Sequence, residues 1–106
     1  MSDDAPSSAK GAPDASGEVR RRAVICNRRG LHARAAAKFV KLAFEFNADV
    51  TVAKGESAVS GRSIMGLMML AAGPGTEIEL AATGPDAQRA VDALTALVAC
   101  GFDETN

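Results

Sequence analysis

Five consecutive residues, Gly30-Leu31-His32-Ala33-Arg34, hold the only histidine of the chain and an arginine two positions beyond it. An ordinary imidazole, with a pKa of about 6.5, is mostly neutral near neutral pH, so a ring nitrogen can act as a nucleophile. A guanidinium matches the fork of oxygens on a phosphoryl group. A histidine beside such a cation suits phosphoryl transfer through a phosphoramidate. The flanking residues place the pair. A strand-like run, Val19 to Cys26, leads into a polar turn, Asn27-Arg28-Arg29-Gly30. A helix-like run, Ala33 to Phe46, leads out. His32 is therefore expected at the N-terminal end of a helix, where unpaired N–H groups and a partial positive charge favour an anion. On position alone His32 reads more readily as a surface residue capping a helix, and Arg34 as a plain surface arginine.

A second stretch, Ser63 to Ala71, begins with a good N-cap residue and continues as a short apolar helix. Ser63 needs no role beyond the cap. Ile64, Met65, Leu67, Met68, Met69 and Leu70 are too apolar for a short helix to bury on one face, and most are expected in the core. Arg20, Arg21, Arg22, Arg28, Arg29 and Arg34 cluster around the histidine, and a solvated face explains such a cluster as well as a binding role does. A zinc site from His32, Cys26 and Cys100 lacks the usual ligand spacing, so no metal is expected.

The elements that would position these residues read as β-α-β-β-α-β-α. After the first helix, Ala35, Ala36, Phe39, Val40, Leu42, Ala43 and Phe46 fall on helical spacing, and Asn47 is a stop. Val50 and Val52 alternate with polar neighbours; Lys54-Gly55-Glu56 turns the chain; Ser57 to Ser60 is a weaker paired strand. Thr76 to Thr83 alternates with Ile78, Leu80 and Ala82 on one face. Gly84-Pro85-Asp86 opens a last helix striped by Ala90, Val91, Leu94, Leu97 and Val98, and Gly101 closes it. An antiparallel sheet with helices on one face, an α+β fold, is the natural packing.

With 106 residues there is room for one small domain. Residues 1–17, rich in Ala, Ser, Pro, Gly and Asp, read as a disordered tail; 18–102 as the domain; 103–106 as a short C-terminal tail. A formal charge of −1 gives no bulk field for nucleic acid. No apolar run approaches a membrane span, no signal peptide is visible, and two isolated cysteines fit a reducing compartment. A cytoplasmic protein is expected.

Gly30-Leu31-His32-Ala33-Arg34 before an Ala-rich helix, with Ser63-Ile64-Met65-Gly66 some thirty residues later, resembles the HPr family, the histidine-containing phosphocarriers of the bacterial phosphoenolpyruvate-dependent phosphotransferase system. The resemblance covers about residues 18–102 and implies that family's open-faced β-sandwich, with three helices on one face of a four-stranded antiparallel sheet. It implies that His32 accepts a phosphoryl group on Nδ1 from enzyme I and donates it to an enzyme IIA domain, with Arg34 neutralising the phosphoryl oxygens. It implies regulatory phosphorylation of Ser63 by an HPr kinase/phosphorylase, and an exposed partner patch that includes Ile64 and Met65. Arg28, Arg29, Arg34 and Lys38 would supply a basic rim. No cofactor is implied, and a monomeric shuttle without a catalytic pocket of its own is expected. One departure stands out: the family commonly has Pro directly after the Arg, and here it is Ala35. Ala is the best intrinsic helix former, so the helix start should survive.

Three other readings compete with this one. A nitrogen-related regulatory branch keeps the chemistry but moves no sugar. An RNA-binding split β-α-β sheet would stack bases on strand aromatics, but the chain has no Tyr or Trp and its four Phe fall outside the expected strands. A small-molecule-sensing domain of similar topology would have no need of His32 with Arg34.

Overall fold

A computed structural model describes residues 17–104. The elements run β1 (Val19–Val24), α1 (Ala33–Ala43), β2 (Asp49–Lys54), β3 (Ser57–Ser60), α2 (Ile64–Met69), β4 (Glu77–Thr83) and α3 (Ala87–Ala99), followed by a 3-10 turn, Gly101–Asp103. This is the expected order. The expected tail at 1–17 lies, apart from Gly17, outside the described residues. At the other end Glu104, beyond the expected domain edge at 102, is packed into the structure, while the rest of the expected tail, 105–106, lies outside the described residues.

The strands form one antiparallel sheet in the order β1-β4-β2-β3. Val19 faces Ala82 and Ala23 faces Ile78 across β1 and β4; Val50 faces Ala82 and Val52 faces Leu80 across β2 and β4. Side chains alternate between faces along a strand. That period puts Val19, Ala23, Val50, Val52, Ile78, Leu80 and Ala82 on one buried face. The helices cover it. α3 buries Ala87, Ala90, Val91, Leu94 and Val98; α1 buries Ala35, Ala36, Phe39, Val40 and Ala43. The alanines let the helices come close, and Phe39 and Phe102, both fully buried, fill the space left over.

Several boundaries are shorter than the residue pattern predicts, each for a local reason. β1 ends at Val24, although Ile25 continues the pairing through its bonds with Thr76 and Gly75. Cys26 then turns toward the end of α3, its Sγ 3.4 Å from Val98 O. α1 ends at Ala43, not Phe46, because Glu45 and Phe46 bond three residues back and tighten the last turn. Asn47 stops the chain by donating its N–H to Asp86 Oδ2 at 2.9 Å. α2 ends at Met69, not Ala71. Ala71 adopts φ +54°, and Lys54 Nζ takes the free carbonyls of Leu70 at 2.9 Å and Ala71 at 3.3 Å.

The largest correction concerns α2. Most of its apolar residues were expected in the core. Only Leu67 and Leu70 are there; Ile64, Met65, Met68 and Met69 are exposed, Met65 and Met69 by 73% and 76%. A six-residue helix has little more than one inward line of side chains, and the two leucines occupy it. Ser63 caps this helix, its Oγ accepting from Gly66 N at 2.9 Å. In so short a helix one bond is a large share of the total. Ser63→Ala is expected to lower stability by about 1 kcal/mol, measured as the change in urea-unfolding free energy.

Candidate functional site

The site grows from the turn between β1 and α1. Asn27 is buried, 4% exposed, and its Nδ2 donates to Gly30 O at 2.9 Å, folding the polar turn onto itself. Gly30 then takes φ +64°. A Cβ there would lie 2.3 Å from Ala72 O, so only glycine fits. The next N–H, from Leu31, donates to that same carbonyl at 3.0 Å. The histidine turn is thus latched to the loop that follows α2. Gly30→Ala must both strain the left-handed backbone and move a carbonyl. We expect a loss of about 1–3 kcal/mol, read as a lower thermal midpoint.

His32 follows with an extended backbone and serves as the N-cap of α1. Its carbonyl accepts from Ala36 N at 2.8 Å. Its Nδ1 accepts the N–H of Arg34 at 3.2 Å. The ring is half-buried, with 20% of the side chain exposed. Because Nδ1 is an acceptor, the neutral ring carries its proton on Nε2. Nδ1 therefore holds the lone pair, at the N-terminal end of a helix. The Arg34 side chain is exposed beside it.

Nε2 meets a residue that the sequence did not reveal. Glu104 Oε2 lies 2.5 Å from it, across 72 residues of chain. The other oxygen, Oε1, accepts from Asn27 Nδ2 at 3.0 Å. The Glu104 side chain is only 10% exposed. Its carboxyl is held below its ordinary value near 4.5, first by the bond from Asn27, then by the bond and charge of His32 and the charge of Lys38, against the opposing effect of burial. Lys38 donates from Nζ to Phe102 O at 2.7 Å, so its ammonium fastens the closing segment from the side of α1.

Arg28 and Arg29 are exposed on the histidine turn. Ile64 and Met65 are exposed on α2, at the opposite end of that helix from the loop latched to Leu31. Ser63 is half-buried at the same end. Cys26 and Cys100 are free, and among the described residues no three His, Cys, Asp or Glu side chains gather into a metal site. All four Phe lie outside strands. No helix among the described residues is long and apolar enough to cross a membrane.

Asn27 and Glu104 carry little in the sequence that marks them as part of the site. Asn27 reads as one polar residue of a turn. Glu104 had one faint mark: it stands two places after Phe102, and an aromatic just past a helix-ending glycine has to be buried somewhere.

A lone, half-buried histidine with an acceptor nitrogen at a helix N-terminus and an arginine beside it has the parts to take up and pass on a phosphoryl group. A family model described as the PTS HPr component phosphorylation site matches residues 19–99. The chain belongs to the HPr family of phosphocarrier proteins of the phosphotransferase system. It is 47% identical over 89 residues to the phosphocarrier protein NPr of Shewanella violacea, covering 84% of this chain and 98% of that protein. It is 52% identical over 80 residues to the phosphocarrier protein HPr of Neisseria meningitidis, covering 76% and 90%. Among solved structures, an HPr from Thermoanaerobacter tengcongensis superposes with a TM-score of 0.78 at 38% identity, over 82% of this chain and 98% of that one.

Proposed function

We propose that this protein carries a phosphoryl group on His32, taken from phospho-enzyme I and passed to a histidine of an enzyme IIA domain in the cytoplasm. The observation that supports this most is the ring's orientation: Nδ1 is the acceptor nitrogen and points at the first turn of α1. Its lone pair attacks phosphorus. The Arg34 N–H, which meets Nδ1 in the resting protein, then faces a phosphoryl oxygen, and the Arg34 guanidinium balances the added charge. The partner enzymes complete each active site, so the carrier needs no pocket of its own.

Ile64 and Met65 form the apolar docking face, and flexible methionines suit a surface that serves more than one partner. Arg28 and Arg29 form the basic rim and steer acidic partners. Lys38 belongs more to the support of the site than to the rim, since its ammonium is engaged by Phe102 O. Ser63 is a regulatory phosphorylation site for an HPr kinase/phosphorylase; a phosphate there leaves the short helix in place and repels acidic partners.

Sugar uptake or its regulation is the leading role. The likeness to an NPr over nearly that protein's whole length favours one second reading, a nitrogen-related regulatory branch. The deciding experiment charges the protein with enzyme I, phosphoenolpyruvate and Mg²⁺ and follows intact mass at neutral and acid pH. An acid-labile adduct supports the carrier; its absence with a demonstrably active enzyme I overturns it. Discharge of the adduct onto a sugar-class or a regulatory enzyme IIA then separates the two roles.

A further inference from the structure

We propose that Glu104 is a positioning residue for phosphoryl transfer: its carboxylate holds the proton on His32 Nε2, so the phosphorylated ring stays cationic and surrenders its phosphoryl group readily. This rests on the carrier reading of His32 given above.

The geometry is specific. Both ring nitrogens have an assigned partner, Nδ1 the Arg34 N–H and Nε2 the Glu104 carboxylate. The carboxylate cannot swing freely, because its second oxygen is bonded to the buried amide of Asn27. The segment that bears it is fixed by the buried ring of Phe102 and by the bond from Lys38 to Phe102 O. The charges around the pair are few. α1 brings Lys38 and Arg34. The histidine turn brings Arg28 and Arg29, both exposed. The closing segment brings Asp103, whose Oδ1 lies 3.3 Å from Cys100 Sγ. α2 and the loop after it carry no charged side chain. Glu104 is the one carboxylate bonded to the ring among the described residues.

The chemistry gives that carboxylate a task. When the Nδ1 lone pair forms the N–P bond, the bond from phosphorus to the donor breaks and its electron pair leaves with the donor. The ring, still protonated on Nε2, becomes an imidazolium. In the second step the acceptor's nitrogen attacks phosphorus, the N–P pair returns to Nδ1, and neutral imidazole leaves. Without the Nε2 proton the leaving group would be an imidazolate anion, a far poorer one. An adjacent carboxylate favours the cationic ring, so the labile form persists to higher pH.

The test uses the full-length protein with Glu104→Gln and Glu104→Asp. Gln is isosteric and keeps a carbonyl acceptor for Nε2–H, so it removes the charge alone. Each protein is charged with phosphoramidate, a small-molecule donor that needs no partner enzyme, and separately with enzyme I and phosphoenolpyruvate. Loss of the adduct is followed by intact mass from mildly acid to alkaline pH. We expect Glu104→Gln to match the wild type at acid pH and to discharge about tenfold more slowly on the alkaline side, with Glu104→Asp in between. An unchanged profile, or a rate altered equally at every pH, overturns the proposal. Charging by phosphoramidate but not by enzyme I overturns the carrier reading instead, while the pH profile still decides the part played by Glu104. A wild type that takes no phosphoryl group from either donor overturns both.

Discussion

His32→Ala is expected to abolish the acid-labile phosphoryl adduct entirely, because no second histidine exists to take the group. The variant also loses two structural contacts, which must be separated from the chemistry. One is the N-cap bond from Arg34 N to Nδ1, at 3.2 Å a long one. Loss of a cap costs about 0.5–2 kcal/mol. The other is the partner of Glu104, which keeps its bond from Asn27. Neither loss unfolds a domain whose kind is stable by about 5–15 kcal/mol. His32→Asn is the matched control. Asn is among the strongest N-cap residues, so it restores an acceptor for the helix while supplying no nucleophile. Both variants should retain the wild-type circular dichroism spectrum, and neither should gain phosphoryl mass with enzyme I and phosphoenolpyruvate. An acid-labile adduct on either one would move the carrier function away from His32.

Phe102→Ala is expected to cost about 3–5 kcal/mol, the range for emptying a buried aromatic site. It is the largest expected loss of stability among the substitutions considered. The ring is fully buried among core residues, and the backbone that carries it sits at φ +59°, a region that L-residues enter at a cost. Burial of the ring offsets that cost. Alanine keeps the strain and removes the burial. The effect should reach the site, because Phe102 is the anchor that brings Glu104 back to His32. Urea unfolding measures the first effect. The second appears as loss of the alkaline pH response of the adduct in conditions where the variant is still folded. Phe102→Leu, which refills most of the volume, should recover most of the stability. A loss below about 1 kcal/mol in Phe102→Ala would mean that the closing segment is not held by its aromatic ring.

The sequence carried the order of elements, and for clear reasons. Strand β4 reads as half-buried because Ile78, Leu80 and Ala82 alternate with Glu77, Glu79 and Ala81, and burial follows that alternation. α1 reads as amphipathic because Lys38 and Lys41 interrupt an apolar line at helical spacing. The histidine turn was legible because every residue that builds it locally is within a few positions of His32. What escaped was long-range or too short to show a period. Glu104 meets His32 across 72 residues, and no local pattern encodes such a meeting. Asn27 matters only through that same carboxylate and through its own turn. α2 misled because one and a half turns cannot display a clear face, so hydrophobic content stood in for burial. Its exposed methionines become visible only once Leu67 and Leu70 are seen to fill the inward line.

The strand order has a consequence in time. β1 pairs with β4 alone, and β4 is also the strand that joins β1 to the β2–β3 hairpin. Yet β4 is the last strand to leave the ribosome. Until Glu77–Thr83 emerges, only that hairpin has a partner within reach, and an isolated hairpin is marginal in water. The four-stranded sheet therefore cannot be completed until β4 has been made. Pairings such as Val19 with Ala82 close long loops, which places the protein among slower folders than a helical bundle of its length. The histidine site has the same dependence, since Glu104, made after α3, must reach back to His32 and Asn27 to complete it.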